Sequence, residues 1–340
     1  MNPADLANYS NLSMVSAMVI MTLAMVTFGA HMAALAPSKA APRKVLVLPD
    51  GSAAPESADA DAGMPADAGI PVEADSGADA GMPVDTRRSR QLAAIALNFT
   101  WLAGALLLVS VVLRGLAVSR PPWGNMFEFC VAACCVTTLT YCALARRNNW
   151  LWLGLFVTLP VLLALGLAMR SFYTEAAELA PALKSYWLGI HVTVAVLAVG
   201  LFTVACPIAL LYLVKTRGSG KPLKSARLQR IVDAFPKPDV LDRLAYGLNM
   251  VGFILWTFTL VAGAIWAQKA WSSYWNWDPK EVWTFVVWAV YAAYMHARAT
   301  AGWEPRKAMW IAVVGYVCIL VNFFVVNVWF VGQHSYSGIS

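Results

Sequence analysis

Four histidines carry most of the metal-coordinating capacity of this 340-residue chain. His191 lies in YWLGIHVTV, with Trp187 four residues earlier and therefore on the same face of a helix. His334 lies in VGQHSYSG, close to the carboxyl end. Between them runs WSSYWNWDPKEVW, residues 271–283, and six of the 15 tryptophans fall between Trp266 and Trp288. Neutral imidazoles ligate transition metals, and flat rings pack against planar ligands, so two imidazoles beside an aromatic platform have the composition of a haem pocket. The same residues also fit a plainer account, interfacial histidines near an aromatic belt at a membrane boundary. Both readings stand on the residues alone.

Trp271, Tyr274, Trp275, Trp277 and Trp283 are the candidate platform. Asp278-Pro279-Lys280-Glu281 reads as a cap leading into a helix, with Pro279 in the first turn. Lys280 is a cation placed to pair with acidic substituents such as propionates. His296 lies 15 residues beyond Glu281, roughly 22 Å deeper at 1.5 Å per residue, with Ala289 and Ala293 before it on the same face. Small residues there permit either close helix packing or room for a planar ligand. His31, in FGAHMAAL, reads as an interfacial histidine, with a weaker second reading as a partner of His296.

The elements that position these residues are membrane spans. The chain is 59% hydrophobic and 13% charged, with mean hydropathy +0.60; a soluble domain carries about a quarter charged residues. Apolar runs near the roughly 20 residues that cross a bilayer recur at about 12–36, 91–114, 126–145, 150–170, 186–214, 246–268, 281–298 and 308–331. The expected fold class is all-α, a polytopic membrane protein of about eight transmembrane helices.

The net charge of +6 conceals a division. Residues 45–86 hold nine of the 19 acidic residues and no Lys or Arg, which leaves 25 basic against 10 acidic residues elsewhere. That Ala/Asp/Gly/Pro stretch has too little apolar content to fold and reads as a disordered cytoplasmic linker, 37–90, behind an N-terminal transmembrane helix in 1–36. The bases cluster in alternate short loops: Arg87–Arg90, Arg146–Arg147, Lys215–Arg230 and Arg298–Lys307. The positive-inside rule then places both termini outside, with an external Trp-rich loop at 266–281. The bases are topology signals rather than a nucleic-acid footprint, so no nucleic acid is expected as a partner. All six cysteines lie in apolar runs, without a C-x-x-C spacing, and read as small buried hydrophobes.

With those residues in place, the sequence resembles the CcsA (ResC-like) family of cytochrome c biogenesis proteins, haem-handling proteins with a tryptophan-rich WWD segment. Trp266-Ala267 followed by WSSYWNWDPKEVW is close to that family's W-G-x-Y-W-x-W-D-P-K-E-x-W, with Ser272 at a Gly position. YAAYMHAR, WGNMFEF (123–129) and the closing VNFFVVNVWFVGQHSY resemble its other motifs, and the resemblance covers about residues 90–338. It implies a core at 91–338 that moves or captures haem b, holds it at the outer face and presents it to the CxxCH of apocytochrome c for thioether attachment. It further implies a subunit of a cytochrome c haem lyase, or holocytochrome c synthase. By the same resemblance His191 and His334 would be outer axial ligands, His296 an intramembrane ligand, and the Trp-rich segment with Asp278 and Lys280 the haem platform. Implied partners are a ResB/CcsB-type membrane protein, a thiol-reducing thioredoxin-like protein and apocytochrome c, in the lipid bilayer of a bacterial plasma membrane.

Other readings compete. A CcmC-like protein delivering haem to a chaperone would use similar residues, although WDPKE and the terminal HSY favour the CcsA pattern. A b-type transmembrane electron carrier needs two stacked His pairs inside the bundle. A cation transporter needs several midplane ionisable groups, where the spans offer essentially only Glu128 and His296.

Overall fold

The computed structural model describes residues 2–35, 87–177, 185–217 and 225–334. Among these, regular structure is entirely helical: α1 (Pro3–Ala34), α2 (Arg87–Val118), α3 (Met126–Asn148), α4 (Gly154–Ser171), α5 (Tyr186–Lys215), α6 (Ala226–Asp233), α7 (Pro238–Trp271), α8 (Pro279–Ala299) and α9 (Pro305–Leu320). A 3₁₀ turn, Leu151–Leu153, leads into α4. Past Leu320 the last helix loosens into π-type turns over Val321–Val326 and ends at Trp329.

Seven of these helices are long and apolar enough to cross a bilayer, the last running Pro305–Trp329. The expected eighth, α8, has 21 residues, enough to rise about 30 Å. Its Lys280–Glu281 start, its His296–Arg298 end and its Trp and Tyr residues keep its apolarity below that of the others. The chain is an all-α, multi-pass membrane protein.

Two boundaries differ from the sequence expectation. Most of the expected linker lies outside the described residues, but its final four residues are helical, since α2 already begins at Arg87. Ser89 is buried there against His31, through its carbonyl at 3.0 Å and its hydroxyl at 2.9 Å. The Trp-rich loop is also shorter than 266–281. Nothing interrupts α7 until Ser272 takes a left-handed conformation at φ 60°, a common way to end a helix. Trp266 and Trp271 are therefore helical, and the connecting turn is only 272–278.

Helices approach closely where side chains are small. A Cβ on Gly252 would press on the Phe202 ring, and one on Gly315 would press on Tyr291. Phe202 and Tyr291 themselves stack at 4.0 Å, which ties α5 to α8. α1 and α2 run antiparallel, with Ser10 bonded to Ser110 at one end and His31 to Ser89 at the other. One end of the bundle is closed by Arg298, bonded through both Nη atoms to Asp242. The start of α5 and of α8 and the end of α7 meet at the opposite end, where the candidate site lies.

Candidate haem-handling site

His191 sits in the second turn of α5, facing α7. Its Nδ1 is 2.9 Å from the Thr259 carbonyl oxygen. A carbonyl only accepts, so Nδ1 carries the proton and Nε2 keeps its lone pair. Gly263, one turn beyond Thr259, makes this approach possible, because a Cβ there would stand 2.8 Å from His191 Cε1. Thr259, Gly263 and Trp266 fall at i, i+4 and i+7, one face of α7. Trp266 continues that face and lies nearly parallel to the His191 imidazole, 12° between planes and 6.0 Å between centroids.

His334 reaches the same ring from the chain's other end. Its Nδ1 is 2.9 Å from Asp278 Oδ1, and a carboxylate likewise fixes the proton on Nδ1. Asp278 is also the N-cap of α8, accepting from the Lys280 backbone N–H, while Glu281 reaches back to the Asp278 N–H to complete a capping box. Its second oxygen accepts from the Gln333 N–H. Gly332 is required beside it, since a Cβ would collide with the Asp278 carboxylate. Burial pushes the Asp278 carboxyl upward, but the hydrogen bond from His334, with those from the Lys280 and Gln333 N–H groups, holds it below the usual value. The predicted Asp-Pro-Lys-Glu cap is therefore present, and its Asp has a second task in aiming an imidazole.

Trp266 links the two histidines. It meets His334 edge-on at 5.6 Å and Trp271 at 4.7 Å, and Trp271 meets His334 at 4.9 Å. His191, His334 and Trp266, but not Trp271, border a cavity of about 530 Å³, within the range of about 300–1,000 Å³ common for cofactor-sized sites. His191, His334, Trp266, Tyr274, Trp275 and Lys280 line it together with largely apolar residues of α3, α4 and α9. Among the described residues no three His, Cys, Asp or Glu side chains converge, so no bare-ion cage is built. Two imidazoles, each oriented through Nδ1, suit instead a metal whose other positions a macrocycle already fills.

The remaining candidates separate. Trp277 is 78% exposed at φ 58° and packs edge-on against Trp275, which in turn meets Phe285. Trp283 is half-buried on α8, outside the cavity wall. His296 is exposed near the far end of α8 and is not part of the cavity. His31 is buried between α1 and α2. Sequence reasoning left Thr259 and Gly263 out of the site and took in Trp266 only as the start of the Trp-rich segment. The i, i+4, i+7 spacing of these three was the available signal, and it becomes readable only once α5 is known to pack on α7.

The fold and site thus define a multi-pass helical membrane protein with a paired-imidazole, tryptophan-walled cavity at one end of its bundle. Residues 123–334 match the family model described as Cytochrome C assembly protein. The chain is 34% identical over 258 residues to the cytochrome c biogenesis protein CcsA of Synechococcus sp. (strain CC9902), covering 69% of this chain and 84% of that protein. It is 36% identical over 264 residues to the CcsA of Parasynechococcus marenigrum, with the same shares, and 31% identical over 271 residues to that of Chlorella vulgaris, covering 70% and 86%. The chain belongs to the cytochrome c assembly protein family and is a CcsA-like member of it. Its role is in cytochrome c biogenesis, which entails haem handling in a membrane and an apocytochrome c to be matured.

Proposed function

We propose that the cavity holds haem b as the substrate of cytochrome c assembly, ligated through Nε2 of His191 and Nε2 of His334. The observation that carries this reading is the pair of Nδ1 hydrogen bonds, to the Thr259 carbonyl and to Asp278, on two imidazoles that line the same cavity. Orientation of a ligating imidazole by an acceptor on its other nitrogen is the usual arrangement at metal sites. Tyr274 and Trp275 supply aromatic surface on the cavity, and Lys280 the nearby cation. On the positive-inside pattern this end of the bundle faces outward, in a bacterial plasma membrane, with both termini on that side. There the substrate's thiols add across the haem vinyl groups: each sulfur bonds to a vinyl carbon, the thiol hydrogen goes to its neighbour, and no electrons are exchanged with an outside donor. The thiols must be reduced beforehand, which assigns a thioredoxin-like reductant upstream.

His296 belongs to a second, intramembrane position. It lies on an exposed face of α8 with Phe285, Ala289 and Ala293, a small-residue surface on which another helix can pack closely. A ResB/CcsB-type partner would supply the opposing ligand.

The test is holocytochrome c formation when the full chain is co-expressed with its ResB-like partner and an apocytochrome c. His191→Ala and His334→Ala are expected to abolish covalent haem attachment, with recovery on addition of imidazole. Full attachment in both variants would refute the proposal.

A further inference from the structure

The cavity continues well below the histidines, and its two ends differ in chemistry. Along α5 its lining runs from His191 to Thr203, about 18 Å of helix. Among the described lining residues, the buried side-chain polar atoms without a hydrogen-bond partner are Trp266 Nε1, Glu281 Oε1 and Asn322 Oδ1, all at the histidine end. The polar side chains of the deep end are already satisfied within the protein. Thr137 Oγ1 donates to the Ala133 carbonyl and Thr203 Oγ1 to the Val199 carbonyl, each at 2.7 Å, and the Tyr316 hydroxyl donates to Thr203 Oγ1 at 3.3 Å. The Cys130 and Cys134 thiols donate to the Ala164 and Val161 carbonyls of α4, at 3.6 Å and 3.8 Å. A water molecule settles in a cavity only where about two to four polar groups receive it. The deep limb offers it no such groups.

The same limb opens sideways. Pro160, Leu163, Ala164 and Leu167, at i, i+3, i+4 and i+7, form one face of α4 and line the cavity, yet Leu163 is 65% exposed. Opposite them on the last helix, Tyr316, Leu320 and Phe324 also line it, and Leu320 is 37% exposed. Residues can face a cavity and the outside of the bundle together only at a mouth. α4 and α9 scarcely touch each other, while α3 packs on both α4 and α5 and forms the back wall. Towards the histidine end the gap is closed by Phe172 stacked on Phe324, 6.0 Å between centroids. Leu163 and Leu320 lie about 18 Å and 22 Å from the starts of the spans Leu151–Ser171 and Pro305–Trp329. Both are near mid-span, so the mouth faces the hydrocarbon of the bilayer.

We propose that the deep limb is a binding site for an acyl chain of a membrane phospholipid, which enters between α4 and α9 while the rest of the lipid stays in the bilayer. An apolar void continuous with the bilayer core fills with hydrocarbon, because bare walls forfeit dispersion contacts and water gains no partners there. The inserted chain gives the histidine end a dry floor, so a ligand held there meets hydrocarbon on its deep side and polar groups on the other. This site is independent of what the histidines hold.

The experiment reconstitutes the full chain, with and without its ResB-like partner, in vesicles of phosphatidylcholine carrying a photoreactive diazirine midway along one acyl chain. After irradiation the adducts are mapped by peptide mass spectrometry. Helix α3 decides the outcome, because no residue from Met126 to Cys142 is exposed, and a lipid chain reaches its middle only through the cavity. Adducts are expected within Ala133–Thr137, both with and without the partner. They should fall several-fold in Ala164→Phe, which fills the mouth, and in Val199→Phe, which fills the limb. Adducts on the outward Leu159 and Leu197, which do not line the cavity, should stay unchanged and report equal exposure to lipid. Labelling of Leu159 and Leu197 with none on α3 overturns the proposal. So do α3 adducts that vanish once the partner is present, which would assign the cleft to a partner helix, and α3 adducts that persist undiminished in the filled variants. If Ala164→Phe fails to fold, the wild-type map and Val199→Phe decide by the same criteria.

Discussion

His334 and Asp278 are joined by a 2.9 Å bond between Nδ1 and Oδ1, although 56 residues separate them in sequence. Asp278 thereby links the start of α8 to the segment beyond the last helix, so that capping a helix and aiming an imidazole depend on one carboxylate. Asp278→Ala is expected to lower haem affinity by about 10–100-fold, the usual effect of removing the group that orients a metal ligand. It should also destabilise the helix start by about 1 kcal/mol. Haem titration and thermal unfolding in detergent measure the two effects separately, and added imidazole should restore the spectrum but not the melting temperature.

Gly263 gives a test of His191 that leaves the histidine in place. A Cβ there stands 2.8 Å from His191 Cε1, so Gly263→Val must push the imidazole off the Thr259 carbonyl. The variant should behave spectroscopically like His191→Ala. A wild-type low-spin spectrum in Gly263→Val would show that His191 does not need this seat.

Glu128 is a structural counterpart to the site. Its side chain is fully buried between Arg114 and Arg120, at 3.1 Å and 2.8 Å, and it also accepts from the Gly124 N–H. Removing one partner of a buried ion pair costs about 3–5 kcal/mol, so Glu128→Ala should lower the melting temperature strongly. Arg120→Ala leaves Arg114 to neutralise the carboxylate and should cost less. A Glu128→Ala protein as stable as wild type would contradict the clamp.

His296 should separate from the His191–His334 pair. His296→Ala is expected to leave the low-spin band of haem added to the purified chain intact, and to reduce holocytochrome c formation in cells containing the ResB-like partner. Loss of the added-haem band in this variant would place His296 in the cavity of His191 and His334, contrary to its position on the exposed face of α8.

Much of this was readable from residue types. The spans followed from apolar length, and the α8 cap from Asp278, Pro279 and Glu281, because both depend on local chemistry. His191 and His334 could be named as candidates because so few histidines occur among so many tryptophans. Their protonation geometry could not be read, since it depends on a carbonyl of α7 and on an aspartate 56 residues away. Trp271 was assigned to a loop because the apolar run fades near 268, whereas α7 continues through Trp271 to its cap at Ser272. The isolation of His296 on the outside of α8 likewise depends on which helix faces are covered, and periodicity does not specify that.

The most direct measurement of the central claim is the reduced absorption spectrum of the full chain loaded with haem, compared with His191→Ala and His334→Ala. Two imidazoles on one iron predict a six-coordinate low-spin b-type spectrum in wild type. Each single variant should lose it and recover it with added imidazole. Identical low-spin spectra in wild type and both variants would contradict the account.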